Sequence, residues 1–572
     1  MKNMEDKNGL LTFAIGVTGH RDIAPDALAV VKEHVTDQLS SFGQRFKHTQ
    51  IELICGLAEG ADTIVAQAAL DLGIKVRAIL PMPLKTYEED FSAGGLKTLR
   101  QLIEEPNVTV EELPLQSKEP VDRDRQYALL KDYLIRRSNI LLALWDNKVT
   151  GLLGGTSDVA LEYLAQDSAE TYLTGNLTVH RANRSASDDD DGNLVIAIST
   201  PRQGTKKADD EFAVGFLVSE GGPGVIAVLP EIPEKIVERW IGLDQYAKDK
   251  NSSVYSNITC WDLLEEGDGE HADELFQLNQ EFIRADQLAI GNQGRSDILF
   301  KAFGIMAGVM GLFFLIYAKL AALTIYLIAY LVLFAAGYFL FRIGKSHAWF
   351  SKHLGYRAYA EALRVRYYLI LSGCSGNVRN GPLLKLTKVS RFRGIEWLTD
   401  AIKCAEPLVA NRESSEGLEL IRVRWIDDQS QYFAKKMHNF HKEHSRLEKI
   451  KGWLFAGSFI GILALVLFKK EIYHTELFGL DGKTLLVFFM GLLPLWLALW
   501  ELYQGKMAIR ELTWQYSNQG RIFSEASRRM EELTDTVSRN AIVSGLAESS
   551  LAEIFQWTVH RFHREHEPPS AG

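Results

Sequence analysis

Leu53-Ile54-Cys55-Gly56-Leu57-Ala58-Glu59-Gly60-Ala61-Asp62 decides the fold of the front half of this chain. An apolar, β-branched lead (Ile51, Leu53, Ile54) stops at a glycine, and Ala61 to Leu70 then repeats apolar residues at helical spacing. The pattern predicts a strand, a tight turn and a helix. Glycine lets the backbone approach a ligand, and the unpaired N–H groups of a first helical turn face that ligand with the positive end of the helix dipole. Two further stretches share this form: Ile15-Gly16-Val17-Thr18-Gly19-His20-Arg21, and Leu141-Leu142-Ala143-Leu144-Trp145-Asp146 with Gly154-Gly155-Thr156-Ser157-Asp158 just beyond.

Around these turns the chain alternates strands with helices. A strand from Leu11 to Val17 precedes a helix from Pro25 to about Phe42. A third strand, Val76 to Leu80, ends at Pro81-Met82-Pro83, with Tyr87, Asp90 and Phe91 in the loop beyond. A helix over Arg125 to Arg137 leads to a fourth strand, Ile140 to Leu144, and a last strand, Leu194 to Ile198, ends at Ser199-Thr200-Pro201-Arg202. This order implies a doubly wound, parallel α/β sheet of Rossmann-like form, with its ligand crevice at the carboxyl ends of the strands. Ser185 to Gly192, with its four consecutive aspartates, is a hydrophilic insert rather than a metal site, since adjacent carboxylates point in different directions. Residues 203 to about 270 show no clear periodicity beyond turns at Gly221-Gly222-Pro223-Gly224 and Asn251-Ser252-Ser253.

The second half is different material. Four runs carry no charge, Ala302–Ala318, Leu320–Phe341, Gly452–Phe468 and Thr484–Trp500, and each has the length a helix needs to cross a bilayer. A helix from about Asp273 runs towards the first. The expected architecture is therefore a cytosolic nucleotide-binding domain (1–270), a first two-span hairpin with flanking helices (271–372), juxtamembrane helices (373–451), a second hairpin (452–503) and C-terminal helices (504–572). The membrane part is all-α. Gly304 and Gly308 match Gly457 and Gly461 in depth, a spacing that lets helices associate in lipid.

Charge sets orientation and compartment. Lys319 alone marks the first hairpin turn, whereas Arg342, Lys345, Lys352, Arg357, Arg364 and Arg366 follow the second span, and Lys435, Lys436, Lys442, Arg446, Lys449 and Lys451 precede the third. Lys469, Lys470 and Lys483 reduce this contrast without reversing it. Both termini and the central loop are expected in the cytosol of a multi-pass inner-membrane protein. A net charge of -10, from 63 basic and 73 acidic residues, argues against nucleic acid as a partner. Four scattered cysteines and no signal-peptide pattern fit a reducing compartment, and no metal-ligand spacing occurs.

The candidate ligand residues are Gly16, Thr18, Gly19, His20 and Arg21; Gly56, Leu57, Ala58, Glu59, Gly60 and Asp62; and Trp145, Asp146, Gly154, Gly155, Thr156 and Asp158. Glycines with Thr18 or Thr156 suit phosphate oxygens, Arg21 and His20 add positive charge, and Asp62, Asp146 or Asp158 accept ribose hydroxyls. Asp62 and Asp158 also stand where an acid caps a helix without any ligand. Trp145 either stacks on a base or closes the sheet edge, and burial is the expected role.

At these residues the front half resembles the SLOG superfamily, which includes the LOG phosphoribohydrolases, the DNA-processing protein DprA and bacterial sensor domains for nucleotide-derived messengers. Gly-Val-Thr-Gly-His-Arg, Gly-Leu-Ala-Glu-Gly-Ala-Asp and Leu-Trp-Asp followed by Gly-Gly-Thr-Ser-Asp-Val look like the three family signatures, in order. The enzymatic LOG branch carries Pro-Gly-Gly-x-Gly-Thr-x-x-Glu; here Gly154-Gly155-Thr156 lacks the proline and the intervening glycine, and Glu162 is out of register. The back half is similar to the SLATT membrane modules at Tyr356-Arg357-Ala358-Tyr359-Ala360-Glu361-Ala362-Leu363 and Asp428-Gln429-Ser430-Gln431-Tyr432-Phe433. Together the resemblances imply an antiviral effector. Its ligand would be a nucleotide-derived messenger, either a cyclic nucleotide or an ADP-ribose derivative, and its spans would assemble as a homo-oligomer into an ion channel or membrane lesion. No further cofactor is expected. The alternative is a membrane-anchored hydrolase of nucleotide N-glycosidic bonds, with Glu59 or Asp62 as acid or base, followed by a scaffold whose sheet binds protein.

Overall fold

The sheet grows outward in both directions from its first strand. In the computed structural model, which describes residues 11–115, 121–146, 148, 154–165, 178–181, 193–204, 213–219, 225–264, 272–373, 395–404, 415–477, 479–507 and 509–562, β1 (Thr12–Gly19) lies between β2 (Gln50–Cys55) and β5 (Ile140–Trp145), parallel to both. β3 (Lys75–Leu80) and β4 (Val108–Glu112) extend one side. On the other side lie β7 (Val195–Ser199), β8 (Val214–Ser219), β9 (Val225–Leu229) and β6 (Thr178–Arg181). The nine-stranded order is β4-β3-β2-β1-β5-β7-β8-β9-β6. After β4 the chain returns to the far side of β1, which makes the β1/β5 boundary the topological switch point, where ligands of such sheets bind.

Alternation along the strands serves two helical layers. Phe13 points to one face, where it meets Phe42 of α1 (Leu28–Arg45) with 6.0 Å between ring centroids and Trp240 of α7 (Glu234–Asn251) at 5.6 Å. Its neighbour Ala14 points to the other, packing with Ile54, Ile79 and Leu134 of α5 (Arg123–Arg137). α2 (Ala61–Asp71) packs on α1, and α6 (Thr156–Ala165) buries Val159, Ala160 and Tyr163 against β5 and β7. Side chains that alternate between two covered faces explain why these strands read as nearly continuous apolar runs.

The parallel sheet is corrected in one region: β8 runs antiparallel to both β7 and β9. Tyr87 and Asp90, expected in a loop, lie on α3 (Leu84–Tyr87) and a following 3-10 turn (Glu88–Asp90). The sequence reading missed α4 (Ala93–Ile103) and β4, an edge strand of half-exposed residues without an apolar run. The stretch 203–270 supplies β8, β9 and α7. The acidic insert at 185–192 and the glycines at 221–224 lie outside the described residues.

The chain divides into two compact units, one comprising 1–256, 260–285 and 359–412, the other 257–259, 286–358 and 413–572. The described part of 359–412 thus falls in the same unit as the sheet. Its anchors pair with residues far away in sequence, which no local periodicity announces: Trp397 stacks on Tyr246 at 4.9 Å, and Asp400 binds Arg239 at 3.0 Å.

The second unit is helical. Four helices are long and apolar enough to cross a membrane, within Leu275–Lys319, Thr324–Ser372, Glu448–Leu467 and Gly482–Glu501. The fourth contains Pro494. Its side chains lie against glycines of the first and third: a Cβ at Gly311 would meet Leu495 at 2.7 Å, one at Gly308 Leu499 at 3.3 Å, and one at Gly461 Met490 at 3.4 Å. Gly304 faces nothing within 4 Å. Gly308, Gly457 and Gly461 thus receive side chains rather than another helix backbone. Outside the spans, Phe433 packs on Phe523 at 5.6 Å, joining the helix Asp428–Leu467 to Ile509–Glu532.

Candidate functional site

Four loops meet at the carboxyl edge of β1, β2, β5 and β7, tied by backbone hydrogen bonds. His20 N–H donates to Leu144 O and Ala61 N–H to His20 O, both at 3.0 Å; Thr200 N–H donates to Trp145 O and Ala24 N–H to Pro201 O, both at 2.9 Å. Gly60 is demanded by this closeness: at φ +87°, a Cβ there would lie 2.5 Å from Arg21 O and 2.6 Å from His20 O. The loops enclose a cavity of about 340 Å³, at the lower end of small-molecule sites.

Of the sequence-predicted residues, Thr18, Gly19, His20, Arg21, Ala58, Asp62, Gly154, Gly155 and Thr156 line this cavity. Thr18 and Thr156 are 8% and 9% exposed, and neither hydroxyl has a hydrogen-bond partner among the described residues. Thr156 opens α6, whose N-terminus therefore faces the cavity with Gly155 and Ser157 beside it. The helix dipole at that end favours an anion. The other predicted residues support the loops from behind. Gly16 gives room to Ser138, whose Oγ would sit 2.1 Å from a Cβ. Leu57 is buried at φ 53°, and Gly56 accepts the Tyr87 hydroxyl at 3.0 Å. Trp145 is a core residue, with its Nε1–H donated to Lys148 O at 2.9 Å. Glu59 turns away to α4, where one oxygen accepts Ser92 N–H at 3.2 Å and the other binds the Ser92 hydroxyl.

The three aspartates have distinct roles. Asp146 backs His20: Asp146 N–H donates to His20 Nε2 at 3.1 Å, and its Oδ1 lies 3.0 Å from the same nitrogen. Asp62 Oδ2 accepts the N–H groups of Gly56 at 3.1 Å and Ala58 at 3.2 Å, fixing the turn after β2. Burial pushes its carboxyl up from 3.8 to about 6, against the opposing pull of the Ala58 N–H, Arg21 and the Gly56 N–H. Asp158 Oδ2 accepts Gly154 N–H at 2.8 Å and lies 3.1 Å from Lys131 Nζ, which also reaches Glu162 at 2.6 Å.

Sequence reasoning missed the wall contributed by α5, namely Tyr127, Leu130, Lys131 and Leu134. Their spacing marks a helix face, but nothing local says that the face meets a turn formed by later residues. Arg202 was legible as a residue ending a strand at the ligand edge; its Nε lies 3.0 Å from both Asp22 carboxylate oxygens. Arg21 Nη2 donates to the Tyr127 hydroxyl at 2.9 Å, which donates to Asp90 at 2.7 Å. Among the described residues no group of His, Cys, Asp and Glu is placed to hold a metal ion.

Compared with known proteins, the chain matches no family model and no curated protein sequence.

Proposed function

We propose that the cavity binds a nucleotide-derived messenger and that its occupancy gates the membrane part, making the protein a ligand-gated effector of antiviral type, assembled as a homo-oligomer in the inner membrane with both termini cytosolic. The carrying observation is the pair of buried hydroxyls, Thr18 and Thr156, turned into a cavity at the switch point beside the N-terminus of α6. Two uncommitted hydroxyl donors next to a helix N-terminus suit phosphate oxygens. Arg21 supplies positive charge at the same wall, and Asp62 offers an acceptor for ribose hydroxyls. The resemblance of the three turns to SLOG signatures supports a nucleotide rather than inorganic anions. The four apolar helices supply the effector half. The position of Glu59 against Ser92 favours sensing over glycosidic hydrolysis with Glu59 as the acid or base.

The test is calorimetric titration of the full chain in detergent with AMP, cyclic AMP and ADP-ribose. One of these is expected to bind, and Thr18→Val and Thr156→Val are each expected to weaken it at least ~10-fold, the scale of a lost hydrogen bond to a charged group. Added to vesicles containing the protein, the same ligand should release a trapped ion or dye. Absence of binding by all three, or release of base in place of stable binding, overturns the reading.

A further inference from the structure

Ile395–Cys404 belongs to the stretch between the second and third apolar helices, yet it is built into the sheet unit at the end opposite the cavity. Ile395, Asp400, Ala401 and Cys404 are all 0% exposed. Asp400 accepts from Arg239 Nε at 3.1 Å and Nη2 at 3.0 Å, and from Asn139 Nδ2 at 3.3 Å; the same Nδ2 donates to its carbonyl at 2.9 Å. Arg137 Nη1 donates to Lys403 O at 3.1 Å. Lys403 Nζ binds Asn193 Oδ1 and stands 5.0 Å from the centre of the Tyr163 ring. Trp397 closes the seat against Tyr246 and Gly242, where a Cβ would lie 3.0 Å from it.

Three elements touch this seat at one end and the cavity at the other. β1 begins at the seat, where Ala14 N–H donates to Asn139 Oδ1 at 2.8 Å, and ends in the cavity with Thr18 and Gly19. α5 lines the cavity with Tyr127 and Lys131 and finishes at Arg137, which holds Lys403. α6 opens at Thr156 in the cavity and carries Tyr163, whose hydroxyl donates to Ser138 O at 3.1 Å and whose ring underlies Lys403. The ten residue steps from Tyr127 to Arg137 span roughly 15 Å of helix, and a packed helix of that length moves as a body rather than deforming.

We propose that Ile395–Cys404 is a ligand-responsive latch: seated, it restrains the stretch between the second and third spans, and filling the cavity shifts β1, α5 and α6 so that the seat loosens. This rests on the cavity being a ligand site and extends that reading by naming the segment that carries the signal. A ligand can drive release only by binding the released form more tightly, and the coupling is reciprocal. Weakening the seat therefore raises ligand affinity at the far end of the sheet.

The test uses the full chain in detergent, with affinities for AMP, cyclic AMP, ADP-ribose and sulfate measured by calorimetry. Seat opening is followed by hydrogen exchange over 395–404. Lys403→Met, which removes the ammonium bonded to Asn193 and Tyr163, and Trp397→Ala, which removes the stacked ring, are each expected to speed exchange in that segment and to tighten binding by about 5-fold or more, the usual lower range of coupling between sites. Lys403→Met serves alone if the Trp397 variant does not fold. Faster exchange with affinity unchanged or lowered overturns the latch alone. Absence of binding by every probe to the unaltered protein overturns the ligand reading and the latch together.

Discussion

The turns after β2 and β5 are close copies in sequence and opposites in electrostatics. Each places an aspartate in the first turn of a helix, Asp62 and Asp158, and each carboxylate accepts backbone N–H groups of its own glycine turn. Asp158 is 1% exposed and paired with Lys131. Asp62, 8% exposed, faces the cavity with no ion pair among the described residues, and burial lifts its carboxyl to about 6. One turn is closed by an ion pair; the other holds a buried carboxyl opposed only in part by Arg21 and two backbone N–H groups. The comparison teaches that two turns of similar form can differ in charge balance, and that a distant lysine makes the difference.

The sharpest way to break the comparison is Lys131→Met. It strands the buried Asp158 charge, and the expected loss is about 3–5 kcal/mol, read as a large fall in thermal unfolding temperature. Lys131→Met with Asp158→Asn should recover most of it, because the Asn oxygen still accepts Gly154 N–H. A double variant as unstable as the single one would mean that Lys131 supports the site by packing alone.

Next in size is Asp62→Asn. A carboxyl raised from 3.8 to about 6 contributes stability that is full below pH ~4 and lost as pH rises through about 6. At pH 8 the ionised, buried group costs on the order of 3 kcal/mol. The variant should therefore be more stable than the unaltered protein at pH 8 and indistinguishable from it near pH 4. Sulfate, whose charge is constant over this range, should bind the unaltered protein more tightly below pH 6 than above it, and the dependence should flatten in Asp62→Asn. A flat profile in both proteins would show that Asp62 does not oppose the anion.

The smallest effect is expected at Glu59, whose bonds to Ser92 hold the start of α4. Glu59→Gln should cost roughly 0.5–1 kcal/mol and leave nucleotide affinity within twofold in the same calorimetric assay. A large loss of affinity would return Glu59 to the cavity and revive the hydrolytic alternative.

These contrasts mark what the sequence could and could not tell. The alternation of strands and helices, the three glycine turns and the four apolar runs are local patterns, and each corresponds to an observed element. Nine of the predicted site residues line the cavity because the turns that carry them end neighbouring strands. The partners were illegible: Lys131 reaches Asp158 from an earlier helix, Arg239 meets Asp400 across 161 positions, and Ser92 claims Glu59 from a loop whose helix went unnoticed. Chain reversal at β8 was hidden for the same reason, since a buried strand has the same apolar composition in either direction.

Pro494 has a chemical consequence for the fourth apolar run, which carries no charged side chain. Without an N–H, proline leaves the carbonyl of Met490 free of its usual helical donor, and the adjacent Gly491 lies against Leu315 of the first span. The fourth helix thus carries, in an apolar stretch, a carbonyl that lacks its usual donor, and such an acceptor is costly wherever water is scarce.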